Sequence, residues 1–463
     1  MNLKKNDVLV VDIYDITNLG FGVAKVDGAI IFVSDTVPGD TAKIKIIKAT
    51  PSYYIARLEE LIVPSATRVN DRCTLSACKS CAYKNLSYAD ELKLKENGIR
   101  DTFKKTGLSH VRIAPVVPSP ELCHYRNKAQ YPIEITGDGE YKIGFFAPKS
   151  HRVTEAANCP LAPTNFPEIL DTVRHFAKKY ALSVYDEKTG GGLLRHVYLR
   201  RAEVSGETLL TLVINGKSLP SAREFVTTVT ERHPEVSGIL LNVNEKQTNV
   251  ILGEEFITLF GKDYITDTLG GVRLKITAPS FYQVNHGAAE LLYAKAKELA
   301  NLTDGDTLLD LYCGAGSIGL SMADKAGKVI GIEIVESAVE CAKFNARENG
   351  IKNAEFYAAD AKDTERLLEN ATKLRKEPIS PDVVILDPPR GGSDEKLLRF
   401  ISELKPKRIV YVSCNPQTLA RDICILREDG YDTDTVYPYD LFPATGHVES
   451  VVCLTRRLDT KLT

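Results

Sequence analysis

The run TLLDLYCGAGSIGL, residues 307–320, constrains the fold of this chain more than any other stretch. An apolar segment leads directly into Gly314, Gly316 and Gly319, in the order G-x-G-x-x-G, and then into helical text. A strand that breaks at a glycine turn and continues as a helix opens a doubly wound, mostly parallel sheet. The text that follows agrees: KVIGIEIVESAVECAKFNAREN, AEFYAADA, DVVILDPP, RIVYVSC and a final SVVCLTRR alternate apolar strands with amphipathic helices. Parallel strands buried on both faces have this continuous apolar character. AAELLYAKAKELANL, residues 288–302, supplies a helix just before the glycine run.

With 463 residues, the chain exceeds one ordinary core, so several domains are expected. Residues 1–62 are rich in β-branched residues, with turns at LGFG, DG and PGD; a five-stranded barrel of the OB kind fits. GFGVAKVDGAIIFVSDTVPGDTAKIKIIK resembles a TRAM domain, an OB-like RNA-binding module. Residues 63–278 carry a cysteine cluster and a mixed α+β region. Their helix at 88–107, closed by Gly107, is able to pack on the C-terminal domain. Residues 279–463 are expected to form the doubly wound, Rossmann-like domain. No apolar run approaches the ~20 residues that span a bilayer, and MNLKKNDVLV lacks the apolar core of a signal peptide. A cytoplasmic chain is expected, so its 10 cysteines are not expected to form disulfides.

G-x-G-x-x-G alone fits a dinucleotide fold equally well, and Glu333 at the end of the next strand suits ribose hydroxyls in either case. Asp310, four residues before Gly314, separates the two. A carboxylate there repels a pyrophosphate and suits a cationic methionine moiety. LDPPR at 386–390 resembles the motif that follows a strand in class I methyltransferases acting on nucleobases, and Asp360 ends the third strand, where such enzymes contact adenine. Any one of these acids could simply cap a helix; several at successive strand ends around one glycine loop point to a site.

Cys414, in VSCNPQTLARD, follows the strand RIVYV and so falls at the carboxyl edge of the sheet, where open α/β folds bind ligands. A thiolate there suits one chemistry in particular. Carbon 5 of uracil is a poor nucleophile until a thiolate adds to carbon 6. Then carbon 5 can take a methyl group, a base can remove its proton, and the thiol is eliminated. ATGHVESVVCL offers His447 and Glu449 as bases near the same edge. FYQVN, DLYCGAGSIGL, ILDPPRGG, SCNP and GHVESV occur in that order. Together they resemble the uracil-C5 RNA methyltransferase family, most of all its TRAM-bearing bacterial members acting on 23S ribosomal RNA. The resemblance implies Cys414 as nucleophile and Glu449 as base. It implies Gln283, Tyr312, Glu333 and Asp387 as contacts to S-adenosylmethionine, with Asp360 at the adenine. Tyr312 stands where the family commonly has Phe. His447 is expected to orient the Glu449 loop. Cys313, Cys341, Cys424 and Cys453 are expected in the core.

CTLSACKSC sets Cys73, Cys78 and Cys81 in a C-x4-C-x2-C pattern, with Cys123 or Cys159 as a fourth ligand. Clustered thiols in a cytoplasmic chain indicate metal. The spacing alone matches plant-type [2Fe-2S] proteins, and four thiolates also suit zinc. The family resemblance implies Cys159 and a [4Fe-4S] cluster, although its first gap is more often five residues.

Net charge is −2, so RNA must be held by local basic faces. Lys43, Lys45, Lys48, Lys104, Lys105, Arg126, Lys128 and the segment RHVYLRR are the candidates, with Phe281 beside the flipped base. The expected partner is 23S ribosomal RNA, bound by a monomer away from any membrane; a transfer-RNA uracil methyltransferase is the alternative. A methylthiotransferase would need a different cysteine spacing, and a non-catalytic RNA-binding protein would not need Cys414 and Glu449 together.

Overall fold

The computed structural model describes residues 3–69, 73, 75, 78–148, 150–156, 158–364 and 380–457. At its centre is a nine-stranded sheet. Its parallel part runs, in spatial order, Ala354–Ala358, Lys328–Glu333, Thr307–Leu311, Val383–Leu386 and Arg408–Ser413. Glu449–Arg456 then pairs antiparallel with Arg408–Ser413, followed by Thr435–Tyr439 and the short strand Arg112–Ile113. The order reverses between Thr307–Leu311 and Val383–Leu386, which opens a crevice at their carboxyl ends.

Both faces of this sheet are covered, which is why its strands are apolar throughout. Leu308, Val383, Ile385 and Val410 pack with helix His286–Ala300 on one face. Leu309, Val384, Leu386 and Tyr411 pack on the other with helices Glu395–Glu403 and Pro416–Glu428. Helix His286–Ala300 begins two residues earlier than expected because the Asn285 side chain caps it, accepting from the Ala288 amide at 3.1 Å.

Three pieces of the 63–278 segment are built into this catalytic core: the edge strand Arg112–Ile113, one helix and one hairpin. Helix Tyr88–Lys105 sends Ile99 and Phe103 into the second face. The hairpin Tyr264–Leu269/Val272–Thr277 sends Ile265, Leu269, Val272 and Leu274 into the first. The remainder forms a seven-stranded mixed sheet whose core also holds helices Phe166–Lys179 and Ala222–Arg232. The N-terminal unit has six strands rather than five, because VLVVDIYDIT breaks into Val8–Asp12 and Asp15–Ile16. These strands enclose Val11, Ala24, Ile31, Val33, Ile44 and Ile46. Among the described residues no helix is long and apolar enough to cross a membrane.

Candidate active site

The carboxyl ends of the central strands converge on one cavity of about 670 Å³. Gln283, Tyr312, Glu333, Asp360, Asp387, Cys414 and Glu449 all line it, although 166 residues separate the first from the last (449 − 283).

The glycine turn is sterically required. Gly314 and Gly316 have φ of +54° and +79°, in the left-handed region that side chains disfavour. A Cβ on Gly319 would stand 2.7 Å from the Asp310 carboxylate, which instead accepts the Gly319 amide at 2.9 Å. Glu333 clasps the same turn from the next strand: it accepts from the Gly314 amide at 3.0 Å and from the Val335 amide at 2.9 Å. Tyr312 turns into the cavity from a left-handed residue at φ +63°. Cys313 is buried beneath the turn, against Gly331, and does not line the cavity. Burial pushes its thiol far up, as expected of a packing residue.

The electrostatics of this end favour a cation. Burial raises Asp310 to about 7, with the charges of Asp387 and Glu333 pushing the same way. Burial also raises Asp387 to about 7. One carboxyl oxygen of Asp310 is buried without a hydrogen-bond partner among the described residues. Carboxyl groups forced together in a dry site gain when a cationic ligand enters. The sulfonium and ammonium of S-adenosylmethionine supply such charge, and the donor set fits that cofactor.

At the other end, local sequence presents Cys414. Strand Arg408–Ser413 ends there, Asn415 caps the next helix by accepting the Gln417 amide at 3.1 Å, and Pro416 occupies the first helical turn. Cys414 is the single residue between strand and cap. Ser413 pairs with Ser450, so the register continued by one step sets Cys414 across from Glu449. Burial pushes Cys414 up to about 11; the charges of Glu449 and Asp387 add to this, and Arg390 opposes it. Glu449 is 5% exposed. Burial lifts its carboxyl well above the usual range, Asp387 reinforcing the effect and Arg390 countering it. His447 lines the same cavity, its ring edge-on to Phe442.

A buried ion group that sequence reasoning missed holds the Glu449 loop. The Lys95 ammonium, from helix Tyr88–Lys105, reaches Glu91 and Asp440 at 2.7 Å each and the Phe442 carbonyl at 3.2 Å. Glu91 in turn accepts the Ala444 amide at 2.8 Å. Arg390 and Phe442 were missed too, although both line the cavity; Arg390 directly follows the Asp-Pro-Pro motif, its one visible signal.

The four expected metal ligands share one locality. The charges of Cys159, Cys78 and Cys73 each push Cys81 up, after burial, to about 12, and Cys78 and Cys73 act likewise on Cys159. Cys123 is exposed. Yet among the described residues no group of three or more His, Cys, Asp or Glu side chains is arranged to hold a metal ion. The donor set suits a thiolate-ligated group, but this geometry does not show the expected cluster. Of the basic candidates on the barrel, Lys43 faces Glu60 at 3.7 Å.

The family model of tRNA (uracil-5-)-methyltransferase matches residues 87–457. The chain belongs to that family. The TRAM domain model matches residues 3–58. The chain is therefore an RNA uracil-C5 methyltransferase with a class I catalytic fold, dependent on S-adenosylmethionine. Two relatives described as uncharacterized RNA methyltransferases, from Clostridium acetobutylicum and Bacillus cereus, are 39% and 40% identical over 458 and 456 residues, 98% of each chain in both cases. Among solved structures, the tRNA (uracil-54, C5)-methyltransferase of Pyrococcus abyssi in complex with S-adenosyl-L-homocysteine is similar with a TM-score of 0.77 and 28% identity. The likeness covers 96% of this methyltransferase and 100% of the archaeal chain.

Proposed function

We propose that this methyltransferase modifies carbon 5 of specific uridines in 23S ribosomal RNA through a covalent bond between Cys414 and carbon 6. The observation that carries the mechanism is the meeting of Cys414 and Glu449 in the cavity that also holds the glycine turn. In the proposed sequence, the Cys414 sulfur gives up its proton and bonds to carbon 6, which makes carbon 5 nucleophilic. Bound S-adenosylmethionine supplies the methyl group. Glu449 then takes the carbon-5 proton, and the bond from sulfur to carbon 6 breaks to restore the ring. The net products are 5-methyluridine, S-adenosylhomocysteine and one proton. Gln283, Tyr312, Glu333, Asp360 and Asp387 are the proposed cofactor contacts.

Motif resemblance supports ribosomal RNA. A transfer-RNA uridine is the second reading, supported by the fold shared with the archaeal tRNA enzyme. That likeness spans 96% of this chain, too much to leave residues 1–62 of 463 outside it. Domain layout therefore does not discriminate between the two substrates. Mapping 5-methyluridine in RNA from cells lacking the protein should show loss in 23S ribosomal RNA and an unchanged level in transfer RNA. Loss confined to transfer RNA would transfer the assignment to the second reading.

Cys73, Cys78, Cys81 and Cys159 are proposed as ligands of a [4Fe-4S] cluster, on the family resemblance and on the proximity that the charges of the others show at Cys81 and Cys159. Protein purified without oxygen should then contain about four irons and four sulfides per chain. Zinc without sulfide would indicate a four-thiolate zinc site, and two irons a [2Fe-2S] cluster. Absence of all three metal signatures would refute ligation.

A further inference from the structure

Close to the stretch 280–285 lies a group of three cations that, among the described residues, has no carboxylate paired to it. Strand Lys128–Ile135 pairs with Leu194–Arg201 in a register that sets Lys128 beside Arg200. Arg200 is fully buried, and its guanidinium donates to the carbonyls of Thr277 and Ser280 at 2.7 Å each. Asn127 is tied to the same segment: its amide donates to the Val284 carbonyl at 2.9 Å and its side chain to the Gln283 carbonyl at 2.7 Å. Arg126 bridges to Asn285. These residues are thus laced to the stretch 280–285, which carries Phe281 and Gln283 to the cavity.

Lys128 has two cationic neighbours and, among the described residues, no carboxylate partner. Burial and the like charges of Arg200 and Arg126 press its ammonium down to about 8. A largely desolvated lysine between two guanidinium groups is costly unless an anion completes the group. Neither Lys128 nor Arg126 lines the cofactor cavity, so an anion outside that cavity is the one sought. Phe281 is 68% exposed beside it, an unpartnered aromatic face of the kind that stacks on RNA bases. An enzyme that turns a nucleotide out of its stack pivots it about the flanking phosphates. A cation fixed next to the cavity can therefore favour the flipped state.

We propose that Lys128, with Arg126 beside it and Arg200 beneath, seats one of the two backbone phosphates flanking the flipped nucleotide. The proposal rests on uridine in RNA being the substrate. The test uses a short RNA that the enzyme methylates, with 5-fluorouridine at the target and a single uncharged methylphosphonate linkage on one side of it or the other. The native enzyme should form its covalent complex about tenfold more slowly with one of the two linkages. Lys128→Gln should be slowed by a similar factor on unmodified RNA and should be indifferent to that same linkage. Its salt dependence of RNA binding should fall by about one phosphate contact, while Lys128→Arg should retain both properties and show that the fold is intact. Equal sensitivity of Lys128→Gln and the native enzyme to both linkages would overturn the proposal. Weakened S-adenosylmethionine binding in Lys128→Gln would also overturn it, by assigning the cation to the cofactor. Absence of any covalent complex with the native enzyme would instead count against the uridine mechanism.

Discussion

Cys414→Ser is expected to form no denaturant-resistant complex with RNA that carries 5-fluorouridine at the target, whereas the native enzyme with S-adenosylmethionine should trap about one RNA per chain. Fluorine at carbon 5 cannot be removed as a proton, so an adduct that has accepted its methyl group has no exit. Turnover of ordinary RNA by Cys414→Ser should fall by about 10⁴-fold or more, the scale on which removal of a nucleophile acts when it works as a unit with its neighbours. The structure bears on the expectation in two ways. First, the thiol is raised to about 11 by burial and by Glu449 and Asp387, so it rests protonated and is activated only within the assembled site. A serine hydroxyl is a weaker acid still and cannot supply the anion there. Second, among the described residues no other cysteine lines the cavity. Cys313 is buried under the glycine turn, outside the cavity, so Cys313→Ser should keep its adduct. An adduct yield in Cys414→Ser equal to that of the native enzyme would remove Cys414 from the mechanism.

Much of this site was legible because its chemistry sits at strand ends, and strand ends leave local marks. Cys414 is marked by the Asn415 cap and Pro416, and the glycine turn by its own spacing. Asp310, Glu333 and Asp387 follow apolar runs whose period is plain in the text. What holds these ends in place was not legible. Lys95 looks like one more exposed lysine in a helix of alternating charge. Only the fold brings it to Asp440, 345 residues away, and buries both. The same holds for the hairpin Tyr264–Leu269/Val272–Thr277: its alternating pattern shows that one face is buried but not that the catalytic core buries it. Arg200 lies in a strand of ordinary appearance, and its burial depends on the two carbonyls that meet its guanidinium. The cysteine spacing signalled metal, yet ligand geometry is a property of three dimensions, and the structure shows only that these thiols are neighbours.

Glu449→Gln should accumulate the adduct on ordinary, unfluorinated RNA. The amide keeps the size of the side chain but cannot take the carbon-5 proton, so methyl transfer should proceed and release should stall. The expected observation is a covalent complex that persists through denaturing electrophoresis, with turnover lower by about 10²- to 10⁴-fold, the range for loss of a general base. The pH dependence supplies an independent check. Burial and the Asp387 charge raise the Glu449 carboxyl, so at low pH it already holds a proton and cannot accept another. In the native enzyme, adduct breakdown should therefore be slow in acid and quicken as pH rises through the raised carboxyl range. That rise should be absent in Glu449→Gln. Because Asp387 titrates nearby, at about 7, the two carboxyls will share their protonation steps, and the profile belongs to the pair. Rapid, pH-dependent release by Glu449→Gln would assign the proton to another group in the cavity. His447 is then the first to test, since it lines the cavity and burial lowers its pKa toward the neutral, accepting form.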